Sequence, residues 1–249
     1  MQNDTIVPSW SASGKSSQCV ENERKRCRQT MKVANVTFHG IGNTGTDVCA
    51  EERDVWLREA QFNAVLEVIR GRVGVCITVD DGNASDMEIV APALRERNMG
   101  ASFFVPVGLL GQSGYMSKSD VRQLAEAGFV IGSHGMKHLD WRKLNDDDLR
   151  CEVHDSRQIL EQMIGRSVRE ASCPFGSYDL RVLRFLKQAG YRRVYTSDRG
   201  SASRQAWLQA RNTISAWDDP VSVEKMLSKG PLSPDLIMCR IKTAIKRLR

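Results

Sequence analysis

The sequence has few histidines, no long apolar run and no regular cysteine framework. Its seven cysteines are an odd number without a C-x-x-C pair, which argues against a disulfide scaffold. No apolar stretch approaches the roughly 18 residues that a membrane-spanning helix requires. Residues 1–30 lack the apolar segment of an export signal. We therefore expect a cytoplasmic protein with free thiols.

The positive charge is concentrated at the two ends of the chain. Of the net charge of +6, residues 1–30 carry +2 and residues 239–249 carry +5, which leaves −1 for residues 31–238. A nearly neutral central part argues against a broad phosphate-binding surface. We therefore expect no nucleic-acid partner.

Composition divides the chain into three parts. Residues 1–30 are polar and almost without apolar periodicity, which predicts a disordered tail. Residues 31–230 are predicted to form one domain. Residues 231–249 have the pattern of a basic amphipathic helix, with Ile237 and Ile241 among its apolar residues. Packing of this helix on the domain and peripheral contact with an anionic membrane, at its inner face, are both consistent with that pattern.

Short apolar runs alternate with amphipathic segments along the domain. We predict strands at Lys32–Phe38, Val75–Val79, Ala101–Val107, Phe129–Gly132, Val168–Pro174, Tyr191–Thr196 and Arg211–Ala216. We predict helices at Trp56–Ile69, Asp86–Arg97, Ser117–Ala127, Asp146–Ile164 and Leu180–Ala189. This alternation indicates an α/β fold of right-handed βαβ units, and six or seven units favour a barrel over an open sheet. In a barrel the chemically active residues lie at the C-terminal ends of the strands.

Two carboxylates follow one of these strands directly. The β-branched run Val75–Val79 ends in Asp80 and Asp81, followed by Gly82. Adjacent carboxylates raise each other's pKa, so a cation or a proton is expected between them. A simple Asp-Gly turn is the alternative interpretation.

Two of the four histidines are four residues apart. His134 and His138 follow another predicted strand, and their spacing on a helical turn would bring two imidazoles to one metal ion. A carboxylate from another strand end would complete a site with two histidines and one carboxylate. A surface helical turn without a metal is the alternative, but the Asp80–Asp81 pair makes the metal site the better hypothesis.

Three ordered motifs resemble those of the polysaccharide deacetylase family, also called the NodB-homology domain or carbohydrate esterase family four. Thr78-Val79-Asp80-Asp81-Gly82 is similar to its T-F-D-D-G motif. His134–His138 is similar to H-S/T-x-x-H, with Gly135 at the position of Ser or Thr. Cys173–Tyr178 is similar to the R-x-P-Y/F motif. The resemblance covers roughly residues 31–220.

This resemblance implies a distorted (β/α)7-type barrel that hydrolyses the N-acetyl group of a sugar. By analogy Asp80 is the general base. The ligands of the metal ion would be Asp81, His134 and His138. The backbone N–H of Phe175, in a loop fixed by Pro174, would stabilise the oxyanion. Such a ligand set suits Zn²⁺ and also Co²⁺, Mn²⁺ or Fe²⁺.

The chain departs from the family pattern at two functional positions. Ser172 stands where the third motif has Arg, so another cation must orient the base, with Arg199 and Arg211 as candidates. We also assign Arg211 to substrate binding. The late histidine that serves the family as general acid has no counterpart, because His154 is the last histidine. His39, after the first strand, is the candidate acid, with a core or turn role as the alternative.

The predicted substrate is an N-acetylated glycan. Tyr178 and Trp141 follow motif residues closely and are candidates for stacking against sugar rings. A non-catalytic glycan-binding barrel that retains the metal, and an amide hydrolase for a non-sugar substrate, are alternative hypotheses.

Overall fold

The structure is a computed structural model that describes residues 32–43, 53–228 and 234–248. The predicted disordered tail, residues 1–30, lies outside the described residues.

Seven parallel strands close into a barrel. Neighbouring strands follow the order β1, β2, β3, β4, β5, β6 and β8, and β8 pairs back to β1. These strands are β1 (Lys32–Phe38), β2 (Val75–Val79), β3 (Ala101–Val105), β4 (Val130–Ser133), β5 (Glu170–Ser172), β6 (Arg193–Thr196) and β8 (Leu208–Thr213). A two-residue strand, β7 (Ala202–Ser203), pairs antiparallel with the start of β1. The predicted (β/α)7-type barrel is confirmed.

Helices surround this barrel. They are α1 (Glu59–Ile69), α2 (Ala91–Glu96), α3 (Lys118–Glu126), α4 (Asp146–Arg150), α5 (Ser156–Ile164), α6 (Leu180–Gln188), α7 (Pro220–Ser228) and α8 (Pro234–Leu248). Local sequence explains several ends. Ser117 and Asp120 form a reciprocal capping box at the start of α3, and Gly165 ends α5 in the left-handed conformation.

Two predicted helices are interrupted by π-helical turns. The turn at Asp86–Val90 leads into α2, and the turn at Cys151–Asp155 lies between α4 and α5. Each π turn accommodates an extra residue per turn, which the three-and-four spacing of apolar residues does not reveal. Strand β7 and helix α7 were not predicted from the sequence. Strand β7 is too short for its side chains to show a period of two.

Each strand directs alternate side chains to the two faces of the barrel wall. On β1, Phe38 points to the surrounding helices and packs edge-to-face on Phe62 of α1, with ring centroids 4.9 Å apart. Thr37, one residue earlier, bonds Thr78 of β2 at 2.8 Å. The apolar core therefore lies between wall and helices.

The helix α8 lies against the loop that follows β5. Lys246 Nζ is 2.8 Å from an oxygen of Asp198 and 3.3 Å from the carbonyl oxygen of Gly176. Several apolar side chains of α8 are about half exposed: Ile237, Met238, Ile241 and Ile245. The described residues include no helix long and apolar enough to span a bilayer.

Candidate active site

The carboxyl ends of the strands converge on a cleft of about 330 Å³. Residue Phe38 of β1 pairs with Val79 of β2, so the residues after both strands, His39 and Asp80, emerge at the same level. The residues that line the cleft are His39, Val55, Asp80, Asp81, His134, His138, Cys173, Phe175, Gly176, Ser197, Arg211 and Thr213. Most of the residues predicted from the strand ends are therefore together.

Asp81, His134 and His138 form a cluster suited to a metal ion. Oδ1 of Asp81 lies 3.4 Å from Nε2 of each histidine, and the three candidate ligand atoms all lie within 4.8 Å of one another. Two ligand atoms that share one tetrahedral Zn²⁺ are separated by about 3.4 Å. This Asp81 oxygen is also buried without a hydrogen-bond partner among the described residues. The donor set therefore fits a divalent cation.

The two histidines reach the cluster from a loop and not from a helical turn. His134 directly follows β4, and His138 has a left-handed backbone with a φ of 54°. We therefore correct the helical-turn prediction. Asp81 has a φ of 77° and Phe175 a φ of 57°. Such conformations cost a non-glycine residue roughly 1–3 kcal/mol and are typical of functional sites.

A hydrogen bond orients the ring of His134. Its Nδ1 is 2.9 Å from the carbonyl oxygen of Ser172, which can only accept, so Nδ1 donates. Nε2 is then the ring nitrogen directed to the cluster, as in metal-ligating histidines whose other nitrogen is bonded.

The electrostatics of the cluster favour added positive charge. Burial would raise the pKa of Asp81, but the close approach of His134 and the positive charge of the nearby histidines hold it below its usual range. Burial would lower the pKa of His134, but Asp80 and Asp81 raise it. Burial and the neighbouring His134 lower the pKa of His138 to about 4, so its imidazole is neutral near pH 7.

Asp80 lies beside this cluster in a buried ion pair. Arg211 Nη1 and Nη2 donate to its two oxygens at 2.6 and 2.7 Å, and Ser172 Oγ donates at 3.1 Å. Both charged side chains are 2% exposed. Burial would raise the pKa of Asp80, but the charge of Arg211, with that of His134, lowers it. The carboxylate is therefore held ionised at neutral pH.

Arg211 is the cation that the third motif lacks. It extends from β8, and its Nη2 is 2.7 Å from Ser172 Oγ, at the position where the family has Arg. Arg199, the other candidate, is exposed and lines a separate cleft. Arg211 lines the cleft, but it is buried and both of its terminal nitrogens bond Asp80, so the structure shows it as the partner of Asp80 and not as a side chain free to bind substrate.

The predicted sugar-stacking residues are both buried. Trp141 is 0% and Tyr178 1% exposed. Trp141 donates from Nε1 to Glu152, and Tyr178 donates from its hydroxyl to Asp198 at 2.5 Å. Neither ring offers a face to a ligand, so we correct this prediction. The ring of Phe175 is 67% exposed at the cleft and lies tilted against that of His138, with ring centroids 4.5 Å apart.

Other predicted residues lie where the motif suggested. Pro174 and Phe175 form a short 3₁₀ turn after β5. Cys173 also lines the cleft, but burial raises the pKa of its thiol to about 12, so it is not a nucleophile at neutral pH. His39 lies at the cleft with Nδ1 buried and unbonded among the described residues.

Sequence reasoning missed two buried acids near the site. Glu152 accepts three hydrogen bonds from residues 136–141. Asp86 is completely buried, and neither of its oxygens has a hydrogen-bond partner within the described part of the chain. Burial, with the charges of Asp81 and Asp80, raises its pKa well above the usual value. Both acids lie on π turns, and no sequence signal marked either turn.

Comparisons with known proteins agree with this geometry. The sequence profile of the family described as polysaccharide deacetylase matches residues 70–194, half of the chain. Bacillus subtilis (strain 168) YxkH, named as a polysaccharide deacetylase, is 26% identical over 140 residues, 56% of this chain and 50% of that protein. A Bacillus cereus peptidoglycan-N-acetylglucosamine deacetylase is 30% identical over 105 residues, 41% of this chain and 36% of that protein. The chain thus spans half or less of these relatives.

The fold is also similar to that of solved structures. The Streptococcus pyogenes deacetylase PplD, solved in complex with acetate, superposes with a TM-score of 0.70 at 17% sequence identity. The similarity covers 80% of this chain and 99% of that protein. At such low identity the comparison supports the barrel fold alone.

Proposed function

Because this chain belongs to the polysaccharide deacetylase family, we propose that it is a metal-dependent hydrolase that removes N-acetyl groups from N-acetylhexosamine units of an oligo- or polysaccharide, or of its precursor. The observation that carries this proposal is the ionised Asp80 beside the cluster of Asp81, His134 and His138 in one cleft. A base next to a cation site is an arrangement that can activate water and polarise an amide for hydrolysis.

The proposed metal is Zn²⁺, with Co²⁺, Mn²⁺ or Fe²⁺ as alternatives. One carboxylate and two imidazoles at tetrahedral spacing suit Zn²⁺, and the other ions accept the same donors. The bound ion would polarise the acetyl carbonyl and lower the pKa of a water molecule.

The chain's own residues would supply the proton transfers. Asp80, held ionised by Arg211, would accept the proton of the attacking water. The N–H of Phe175 would donate to the developing oxyanion. His39, on the rim of the same cleft, would give a proton to the leaving amine.

Acetate release from N-acetylglucosamine oligomers tests this proposal. We expect release by Zn²⁺-loaded protein, loss of release with a chelator, and recovery when Zn²⁺ is added back, because the bound ion would polarise the amide and activate the water. Coupled enzymatic detection of acetate measures each step. Absence of release by protein that binds one Zn²⁺ per chain would contradict the proposed reaction on this substrate.

One observation favours a second candidate, a non-catalytic glycan-binding barrel. The sequence has no histidine after His154, so the family's late general acid is absent. Isothermal titration with chitooligosaccharides separates the candidates, because a binding module would bind glycan and release no acetate under any metal condition. Hydrolysis of an amide in a non-sugar substrate is the third candidate, since the site specifies the reaction better than the substrate.

We further propose that the protein acts in the cytoplasm beside an anionic membrane, which α8 contacts. Ile237, Ile241 and Ile245 recur every four residues and are 42–50% exposed, whereas Lys246 on another face bonds the barrel. Residues 239–249 contain five basic and no acidic residues. Exposed apolar side chains together with clustered cations are the combination that binds anionic lipid surfaces.

Vesicle flotation tests this contact. We expect the protein to float with phosphatidylcholine vesicles that contain 30% phosphatidylglycerol more than with phosphatidylcholine alone. Ile241→Glu should reduce the bound fraction about tenfold, because it removes apolar burial and adds a repelled charge. Val73→Glu is the matched control, since Val73 is 87% exposed outside α8. Equal flotation of both variants would contradict lipid binding by this face. A protein that is dimeric in solution and becomes monomeric in Ile241→Glu would also contradict it, because the apolar face would then bind a second copy of the chain.

A further inference from the structure

A single buried carboxylate holds the loop between the two metal-site histidines. Glu152 lies in the π turn between α4 and α5 and is 3% exposed. Its Oε2 accepts from Met136 N at 2.8 Å, and its Oε1 accepts from Lys137 N at 2.9 Å. The indole Nε1 of Trp141 donates to the same Oε2 at 3.2 Å.

These bonds restrain most of the segment that separates the histidines. Only residues 135–137 lie between His134 and His138, and Glu152 binds the backbone N–H groups of two of them. Hydrogen bonds to a carboxylate are roughly twice as strong as neutral ones, and buried N–H groups that lose their acceptor are costly. The carbonyl oxygens of Gly135 and Met136 accept from the backbone N–H groups of Val107 and Gly108. The N–H groups of Met136 and Lys137, in the backbone that sets the separation of the two imidazoles, are therefore held by the one side chain of Glu152.

Gly135 fits this arrangement and the family's Ser or Thr does not. Gly135 has a φ of 84°, and a Cβ at this position would lie 2.2 Å from Oε2 of Glu152. Any larger residue would therefore displace the carboxylate or the loop. The departure from the H-S/T-x-x-H pattern has its physical reason in the position of Glu152.

The π turn is tied to the start of the same loop. Ser156 Oγ donates to the carbonyl oxygen of Glu152 at 2.5 Å and lies 3.0 Å from Ser133 Oγ. Ser133 Oγ in turn accepts from Gly135 N at 3.2 Å. Ser133 directly precedes His134, so the backbone of Glu152 is connected to one end of the loop while its side chain holds the middle.

We propose that Glu152 is a positioning residue that keeps His134 and His138 in metal-binding geometry and thereby sets the metal affinity of the cleft. It lines neither the cleft nor the cluster, so it acts through Met136 and Lys137. This inference rests on the proposed metal site.

A Zn²⁺ competition titration against a chromophoric chelator tests it. The variant Glu152→Gln keeps the shape of the side chain but turns an amide N–H toward one of the two backbone donors. We expect a Zn²⁺ dissociation constant 10- to 100-fold higher than that of the unmodified protein, the range found when residues supporting metal ligands are changed. The Co²⁺-loaded variant should also show shifted d–d absorption bands.

Glu161→Gln is the matched control. Glu161 likewise accepts a backbone N–H, from Val168 at 3.0 Å, and lies on α5 outside the cleft. We expect this variant to alter thermal stability and to leave the Zn²⁺ dissociation constant within about twofold, because Glu161 bonds no residue of the segment from His134 to His138.

Gly135→Ser is a second variant in case Glu152→Gln does not fold. It pushes on the same carboxylate and should raise the Zn²⁺ dissociation constant at least about tenfold. Unchanged Zn²⁺ affinity in whichever of these variants folds would overturn the positioning role alone. Failure of the unmodified protein to bind Zn²⁺ would overturn the metal site, and this inference with it.

Discussion

Replacement of Asp80 by Asn should lower the rate of acetate release about a thousandfold while Zn²⁺ binding persists. Asn has the shape of Asp but cannot accept the proton of the attacking water. The expected loss is within the roughly 10²- to 10⁴-fold rate enhancement that a general base typically contributes. The metal cluster of Asp81, His134 and His138 does not include Asp80. Turnover measured at saturating glycan, with Zn²⁺ content measured in parallel, checks both parts.

Asp86→Asn is the matched control for this experiment. Asp86 is also a buried acid near the cluster, but burial and the charges of Asp81 and Asp80 raise its pKa well above the usual value and so favour its neutral form, which Asn resembles in shape and charge. We expect activity within about threefold of the unmodified protein. A rate for Asp80→Asn as high as that of this control would rule out Asp80 as the base.

Replacement of Arg211 by Gln should lower the free energy of unfolding by about 3–5 kcal/mol, because it leaves the carboxylate of Asp80 buried without its partner. Urea denaturation at pH 7 measures this change. Arg199→Gln is the control, since Arg199 is exposed and its loss should change stability by about 0.5 kcal/mol or less. Equal stability of the two variants would contradict the assigned ion pair.

The pH dependence of this variant follows from the lowered pKa of Asp80. A carboxyl group with a lower pKa in the folded state adds stability above its unfolded pKa, about 3.9, and that stability is lost as pH falls through the folded value. The difference between the unmodified protein and Arg211→Gln should therefore narrow at acid pH. Because Arg211 lowers the pKa of the base, the acid limb of the kcat/KM profile of the variant should move to higher pH.

Residues directly after strands could be located from the sequence. Asp80, Asp81 and His134 follow apolar runs, and parallel strands in a barrel bring such positions to one end. His138 was grouped correctly, although its backbone is a left-handed loop and not a helical turn. The sequence pattern was sufficient here because each residue is adjacent to an element with a clear period.

The remaining site residues depend on packing that a linear pattern does not contain. Trp141 and Tyr178 follow motif residues, yet their rings are turned inward to Glu152 and Asp198. Arg211, the partner of Asp80, is 131 residues away in the sequence. The sequence limited the candidates to Arg199 and Arg211 but could not decide between them, because the pairing of β8 with β1 determines which arginine reaches Asp80. Glu152 was missed because a π turn changes the face on which a helical residue lies.

The barrel is closed by its last strand, and that strand also carries the counter-charge of the base. Until β8 has docked between β6 and β1, Arg211 is absent and Asp80 must stay hydrated or take up a proton. Burial of that carboxylate with its partner thus requires completion of the ring. A chain that has been synthesised only as far as β6 contains Asp81, His134 and His138 and still lacks the cation that pairs with Asp80, so the proposed base would be complete only when the C-terminal part of the domain is in place.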